Sequence, residues 1–276
     1  MRVRPFVFAL FLPLLLCTCG RAPEETGEHS TANIQGTDAE NLASYDANPP
    51  DAGFNRAASD AKAIATVDSI VAAHGGRAAY DRTRYFEWNF FGARDLVWDK
   101  LQKRARIEVP DKETVYLLDY SGTEPSGRVQ VAGRELSDAD SLAQLLQSAR
   151  SILINDSYWL VHQFKLLDDG VTLKSLPDTE ADPLSGRPSY VIDQTFEGVG
   201  DTPGNRYRLY VDKQNHRINT WEFYREAADE QPAMQTPWQG YRNYAGLLLS
   251  ADRGGRFQLT NIKLPTEVAE ERFTEF

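Results

Sequence analysis

The chain has 276 residues, with 30 Lys and Arg against 40 Asp and Glu and a formal net charge of −10, a balance opposed to the phosphate neutralisation on which nucleic-acid binding rests. Its 41% hydrophobic content, with 13 Phe, 12 Tyr and 5 Trp, is enough for a real core and excludes global disorder. Its two cysteines, Cys17 and Cys19, both lie in the leader, so the remainder forms no internal disulfide and no thiolate metal site.

Arg2 and Arg4 precede an apolar stretch over residues 6–16 that Pro13 interrupts. Eleven residues are too few to span a bilayer, which takes about 20, so the segment reads as a secretory signal peptide. The following Leu16-Cys17-Thr18-Cys19 resembles the bacterial lipoprotein signal, in which a Leu stands three before a Cys that becomes diacylated. Cys19 has Leu16 in that place and is the expected lipidation site, with residues 1–18 removed; Cys17 is the less favoured choice. Cleavage removes two positive charges and no negative ones, leaving an acidic body whose hold on a membrane rests on the acyl anchor. Residues 19–56 carry only Ile34, Leu42, Tyr45 and Phe54 as large apolar side chains, too few to offset chain entropy. They are expected to form a disordered tether reaching roughly 30–37 Å.

A single domain is expected over 57–276. Ser59 or Asp60 can cap a helix whose apolar face is Ile64, Val67, Ile70 and Val71, with His74 in the last turn and Gly75-Gly76 as the stop. From residue 85 the period becomes two. Phe86, Trp88 and Phe90 share one face, and Ala105, Ile107 and Val109 alternate with Arg104, Arg106 and Glu108. Further strands are expected at 114–119, 128–132, 190–196, 206–211, 218–224 and 257–264, and less clearly within 240–249. A helix over 138–150, capped by Ser137 or Asp138, turns Leu142, Leu145, Leu146 and Ala149 to one side. The whole reads as a mainly β (α+β) fold: a curled antiparallel sheet or half-open barrel, an N-terminal helix and a helical lid.

Motifs for zinc proteolysis, serine hydrolysis and nucleotide binding are absent from the sequence. The Gly198–Gly204 stretch, with Pro203, fits a hairpin turn better than a phosphate cradle. One catalytic alternative remains, with His162 as base, Asp168 or Asp169 orienting it and Ser157 as nucleophile. Against it, Asn155, Asp156 and Ser157 can cap a turn with Trp159, Leu160, Phe164 and Leu166 packed beneath. The aromatic residues on the expected sheet faces leave a concave surface that is either plugged as core or filled by a hydrophobic ligand.

Several segments taken together resemble the LolA/LolB-type lipoprotein-carrier superfamily, and within it a family of bacterial envelope lipoproteins whose own role is open. They are Ala73-His-Gly-Gly76, Asn155-Asp-Ser-Tyr-Trp159, Phe164-Lys-Leu166, Asp169-Gly-Val171, Val199-Gly200 with Pro203, Tyr207-Arg-Leu-Tyr-Val-Asp212 and Trp221, covering roughly residues 60–265. The resemblance implies that Phe86, Trp88, Phe90, Leu117, Leu209, Trp221 and Phe223 contact acyl chains, with Leu142, Leu145 and Leu146 as the lid. It also implies a lipid or acyl-chain ligand, no cofactor or metal, and no enzymatic activity. The location would be the cell envelope, on the periplasmic side of the outer membrane. Carriers of the superfamily are soluble shuttles, whereas this leader implies an anchored protein, so lipid binding is expected rather than transfer as such. The alternatives are an envelope scaffold with a plugged barrel that binds a protein partner, and the hydrolase using His162.

Overall fold

The computed structural model describes residues 47–177 and 180–276. The expected signal peptide, the expected lipidation site Cys19 and the first part of the expected tether lie outside the described residues. Residues 47–56, expected as tether, instead strap onto the domain. Phe54 is buried, Asp51 N donates to Leu167 O at 2.9 Å, and Asn55 Nδ2 donates to Gly170 O at 3.2 Å and Thr172 Oγ1 at 3.1 Å. Matched polar groups and one apolar anchor hold a segment that its composition alone would leave free.

Helix α1 (Ala61–Ala73) buries Ala63, Val67, Ile70 and Val71. Its two expected caps do other work: Ser59 Oγ accepts from Leu173 N at 3.0 Å and Asp60 Oδ2 from Ser175 N at 2.9 Å, fastening the helix start to strand β7 (Val171–Ser175). Gly75, at φ +108°, ends the helix where the hairpin backbone comes close; a Cβ there would sit 2.2 Å from Gly246 O. The short helix α2 (Arg77–Arg82) follows.

Strands β1 (Tyr85–Phe90), β2 (Arg94–Asp99), β3 (Arg104–Val109), β4 (Thr114–Asp119), β5 (Ser126–Val131) and β6 (Arg134–Glu135) form an antiparallel meander. Its inner face is set by register: Phe86, Trp98, Ala105 and Leu118 lie in one row, and Trp88, Leu96, Ile107, Tyr116 and Val129 in the next. Small Ala105 between Trp98 and Leu118 lets the layers interdigitate. Leu117, expected on the concave face, is on the other one. Parity requires it, because its register partners are Arg106 and Arg128. Those two donate to Glu275 O (2.5 Å) and Thr274 O (2.6 Å) of the C-terminal segment, which carries helix α4 (Glu271–Thr274) across the outer face.

Helix α3 (Ala139–Val161) extends eleven residues beyond the expected 138–150 and runs on into a tight turn at His162–Phe164. Asp138 Oδ1 accepts from Ser141 N at 2.9 Å, the expected cap. Asn155, Asp156 and Ser157 are helical rather than a capping turn. Asp156 is fully buried and accepts from Arg94 Nε and Nη2 at 2.7 and 2.9 Å, which ties α3 to β2. Beyond it lie β7, β8 (Ser189–Phe196), β9 (Arg206–Asp212), β10 (Ile218–Tyr224), β11 (Met234–Pro237), the hairpin β12 (Arg242–Tyr244) and β13 (Leu247–Leu249), β14 (Asp252–Arg253) and β15 (Phe257–Lys263).

The fold is mainly β and antiparallel, a curled sheet that does not close into a barrel. It is divided into an eight-stranded sheet, β14-β15-β1-β2-β3-β4-β5-β6, and a five-stranded sheet, β11-β10-β9-β8-β7. They meet where Gln239 N donates to Asp252 O at 2.9 Å. One continuous core joins both sheets, α1 and α3, so α3 lies within the curl. Among the described residues no helix is long and apolar enough to cross a membrane.

Candidate functional site

The N-terminal half of α3 faces the eight-stranded sheet, with Leu146, Ala149 and Leu153 buried in the common core and Leu142 and Leu145 half-buried against it. Over the five-stranded sheet the packing is less complete. A cleft of about 440 Å³ opens between the C-terminal half of α3 and strands β8–β11. That volume is within the ~300–1,000 Å³ typical of ligand pockets. Helix α3 contributes Ser151, Ile154, Asn155, Tyr158 and Trp159, spaced so that one helical stripe faces the opening. The sheet contributes Phe196, Tyr207, Trp221, Phe223 and Met234, and the β8–β9 loop contributes Gly200, Asp201, Thr202 and Asn205 at the rim.

Strand register explains why the sheet side is aromatic. Phe223 pairs with Tyr207 across β10–β9 and with Met234 across β10–β11, and Trp221 follows Phe223 by period two. Tyr207 and Trp221 lie nearly parallel, with centroids 5.0 Å apart and 16° between planes. Phe196 meets Tyr207 edge-on at 5.7 Å and 86°, while Trp159 reaches from α3 to Trp221 at 4.8 Å and 62°. Asp201 is the one charged side chain of the lining, at the rim, and neither Lys nor Arg lines the cleft. Such a surface suits an apolar molecule. Among the described residues, no three His, Cys, Asp or Glu side chains converge as a metal site.

Only two of the expected ligand-contacting residues, Trp221 and Phe223, line this cleft. Phe86, Trp88 and Leu209 are essentially fully buried in the core. Phe90 is 6% exposed and touches Phe91 and the cleft residue Trp159, at 4.0 and 6.4 Å between centroids, without lining the opening. Leu142, Leu145 and Leu146 cover the eight-stranded sheet, so the expected lid plugs one half of the curl instead of closing a cavity. Leu117 lies on the outer face. Tyr158, Asn155 and Phe196 were missed: the first two need α3 to continue past residue 150, and Phe196 ends a strand at the loop.

The catalytic alternative is not assembled. His162 is fully buried, and its Nε2 bonds Gln194 Oε1 at 2.6 Å rather than a carboxylate. Burial lowers its pKa to about 4, so the imidazole is neutral at pH 7. Asp168 is taken up by Lys165, Asp169 Oδ1 accepts from Gly53 N at 2.7 Å, and Ser157 Oγ donates to Ile154 O at 3.0 Å. His74, at the end of α1, is likewise buried, donating from Nδ1 to Ile70 O at 2.7 Å, and burial lowers its pKa to about 4, so it is neutral at pH 7.

The chain is similar in structure to several solved proteins. One is a DUF1329 family protein from Desulfovibrio piger, 15% identical, with 77% of this chain and 97% of that chain covered and a TM-score of 0.43. A putative outer membrane lipoprotein-sorting protein domain from Vibrio parahaemolyticus is 12% identical, with 71% and 93% covered and a TM-score of 0.35. MucB is 16% identical, with 79% and 64% covered and a TM-score of 0.26. No protein-family model and no curated protein matches the chain.

Proposed function

We propose that this protein is a non-enzymatic binder of a lipid or lipid-like molecule, held at the cell envelope by an acyl anchor on Cys19, whose apolar part seats in the cleft between α3 and strands β8–β11. The observation that carries the reading is the open, aromatic-walled cleft of about 440 Å³ beside a curl that is otherwise filled by side chains. Each methylene of a ligand buried there contributes about 0.8 kcal/mol.

Native mass spectrometry of the full chain carrying Cys19→Ser, purified without detergent, tests this directly, followed by titration with a fluorescent fatty acid. A lipid-sized added mass or saturable binding supports the reading. Tyr158→Ala with Phe223→Ala is expected to weaken binding about tenfold or more, because each removes a ring from the wall. An apo mass together with no binding of added fatty acid or phospholipid overturns it. Incorporation of labelled palmitate, lost in Cys19→Ser, checks the anchor.

A second reading, an envelope scaffold that docks a protein partner, is favoured by one observation: α3 plugs the eight-stranded half of the curl. Capture of a defined envelope protein from membranes by the ligand-free chain would support it.

A further inference from the structure

Behind the aromatic wall lies a buried polar cluster that the cleft alone does not explain. His162, fully buried, touches three lining rings, Tyr158, Tyr207 and Trp221, at 5.0, 5.5 and 6.3 Å between centroids, and Trp238 at 6.2 Å. Arg253, 2% exposed, stacks 3.9 Å over Trp238 and donates from Nη2 to Trp159 O at 2.5 Å. Its other bonds are to Ser250 Oγ (2.6 Å), Asp252 O (3.1 Å) and Ser250 O (3.4 Å), so every acceptor on this guanidinium is neutral. An interior cation hydrogen-bonded only to neutral oxygens is costly, because the Asp252 carboxylate acts on it through space without a hydrogen bond and the burial cost still dominates. The lowering of its pKa to about 9 by burial agrees with that position.

The cluster is also short of acceptors. His162 Nδ1, Gln194 Nε2, Trp221 Nε1, Trp238 Nε1 and Arg253 Nε are buried without a hydrogen-bond partner. With His162 Nε2–H donating to Gln194 Oε1, the unmet set is four donors and one acceptor, the acceptor being His162 Nδ1. Reversing the Gln194 amide makes Nδ1 a donor and Oε1 the unmet acceptor, and the balance is unchanged. A site with surplus buried donors beside a cation that no carboxylate hydrogen-bonds is complemented by an oxygen-rich anion.

Resting on the reading of the cleft as a lipid site, we infer that its ligand is a single-chain amphiphile with a carboxylate head. The head sits against the unmet indole N–H of Trp221, the one residue of the cluster that lines the cleft, while the alkyl chain lies along the rings toward the β8–β9 loop. The acidic rim residue Asp201 agrees with this polarity, since it disfavours an anionic head left at the mouth.

The test compares three ligands of one chain length, dodecanoate, dodecanol and dodecyltrimethylammonium, titrated at neutral pH into the full chain carrying Cys19→Ser. Dodecanoate is expected to bind about tenfold or more tightly than dodecanol, the factor one charge-assisted hydrogen bond supplies, with the ammonium weakest. That preference ratio should shrink in Arg253→Gln. It should also shrink in Trp221→Phe, which removes an N–H that bonds nothing in the protein and so keeps the test open if Arg253→Gln fails to fold. Equal binding of all three overturns the head-group inference and leaves the lipid site standing. Tightest binding of the ammonium overturns it in favour of an aromatic cation site. Binding of none overturns the lipid site itself.

Discussion

The two buried histidines make the protein's stability depend on pH in a specific window. For both His74 and His162 burial holds the folded pKa near 4 against an ordinary value of 6.5. As the pH falls through 6.5 the unfolded chain takes up protons that the folded chain refuses until about pH 4. The stabilisation is therefore complete above about pH 6.5 and is lost progressively down to about pH 4, at about 1.4 kcal/mol per pH unit for each group. Urea midpoints are expected to fall between pH 7 and pH 5, and a His74→Gln, His162→Gln double variant should flatten that slope. An unchanged slope in the double variant would place the loss in other groups. Arg94 gives a second test at this scale. Replacing it with Leu leaves the Asp156 carboxylate buried and unpaired, and should cost about 3 kcal/mol or more in urea denaturation.

Among the elements, α3 and β5 carry the sharpest expectations. Asp138→Ala removes the cap accepting from Ser141 N and should cost about 1 kcal/mol. In β5, Gly127 sits at φ +138°, and a Cβ would lie 1.9 Å from Leu117 O, inside the β4–β5 ladder. Gly127→Ala should therefore cost more than about 2 kcal/mol, with a lowered urea midpoint at unchanged slope. These elements also show where a reading of the sequence falls short. Alternation located β1, β3, β4, β8, β9 and β10 because each presents one face to the core. It passed over β2, where Leu96, Val97 and Trp98 are buried consecutively, the two inward residues by the core and Val97 beneath Phe273 of α4. The end of α3 was hidden for a different reason. Asn155-Asp-Ser157 has turn propensity, and its helical form is supported by long-range contacts: Asp156 pairs with Arg94, and Leu153, Leu160 and Val161 on either side are buried in the core.

At the scale of the molecule, the curl has a filled half and an open half. The eight-stranded sheet is covered by α3 along its N-terminal turns, and the five-stranded sheet keeps the cleft. A ligand should therefore order one half selectively. Hydrogen exchange with dodecanoate present is expected to slow in the β8–β9 loop and the C-terminal half of α3, and to remain unchanged in β2–β4. Uniform slowing, or protection confined to β2–β4, would place the ligand elsewhere.

What the sequence determined by itself was period and chemistry: a mainly β antiparallel chain, a first helix stopped at Gly75-Gly76, an apolar stripe on α3, and concentrated aromatic residues. Those properties are local, since a side chain's parity along a strand follows from the backbone. Whether an inward residue is core or wall depends on what lies opposite it, and that is a property of the assembled molecule. Trp88 and Trp221 have the same alternating signature; α3 packs closely in the half of the curl that holds Trp88 and leaves space beside Trp221. Likewise nothing local separates Leu117 from Leu118, and only the pairing of Leu117 with Arg106 and Arg128 puts it outside. The cleft, and the unmet donors behind it, exist because one helix covers two sheets and packs fully against only one.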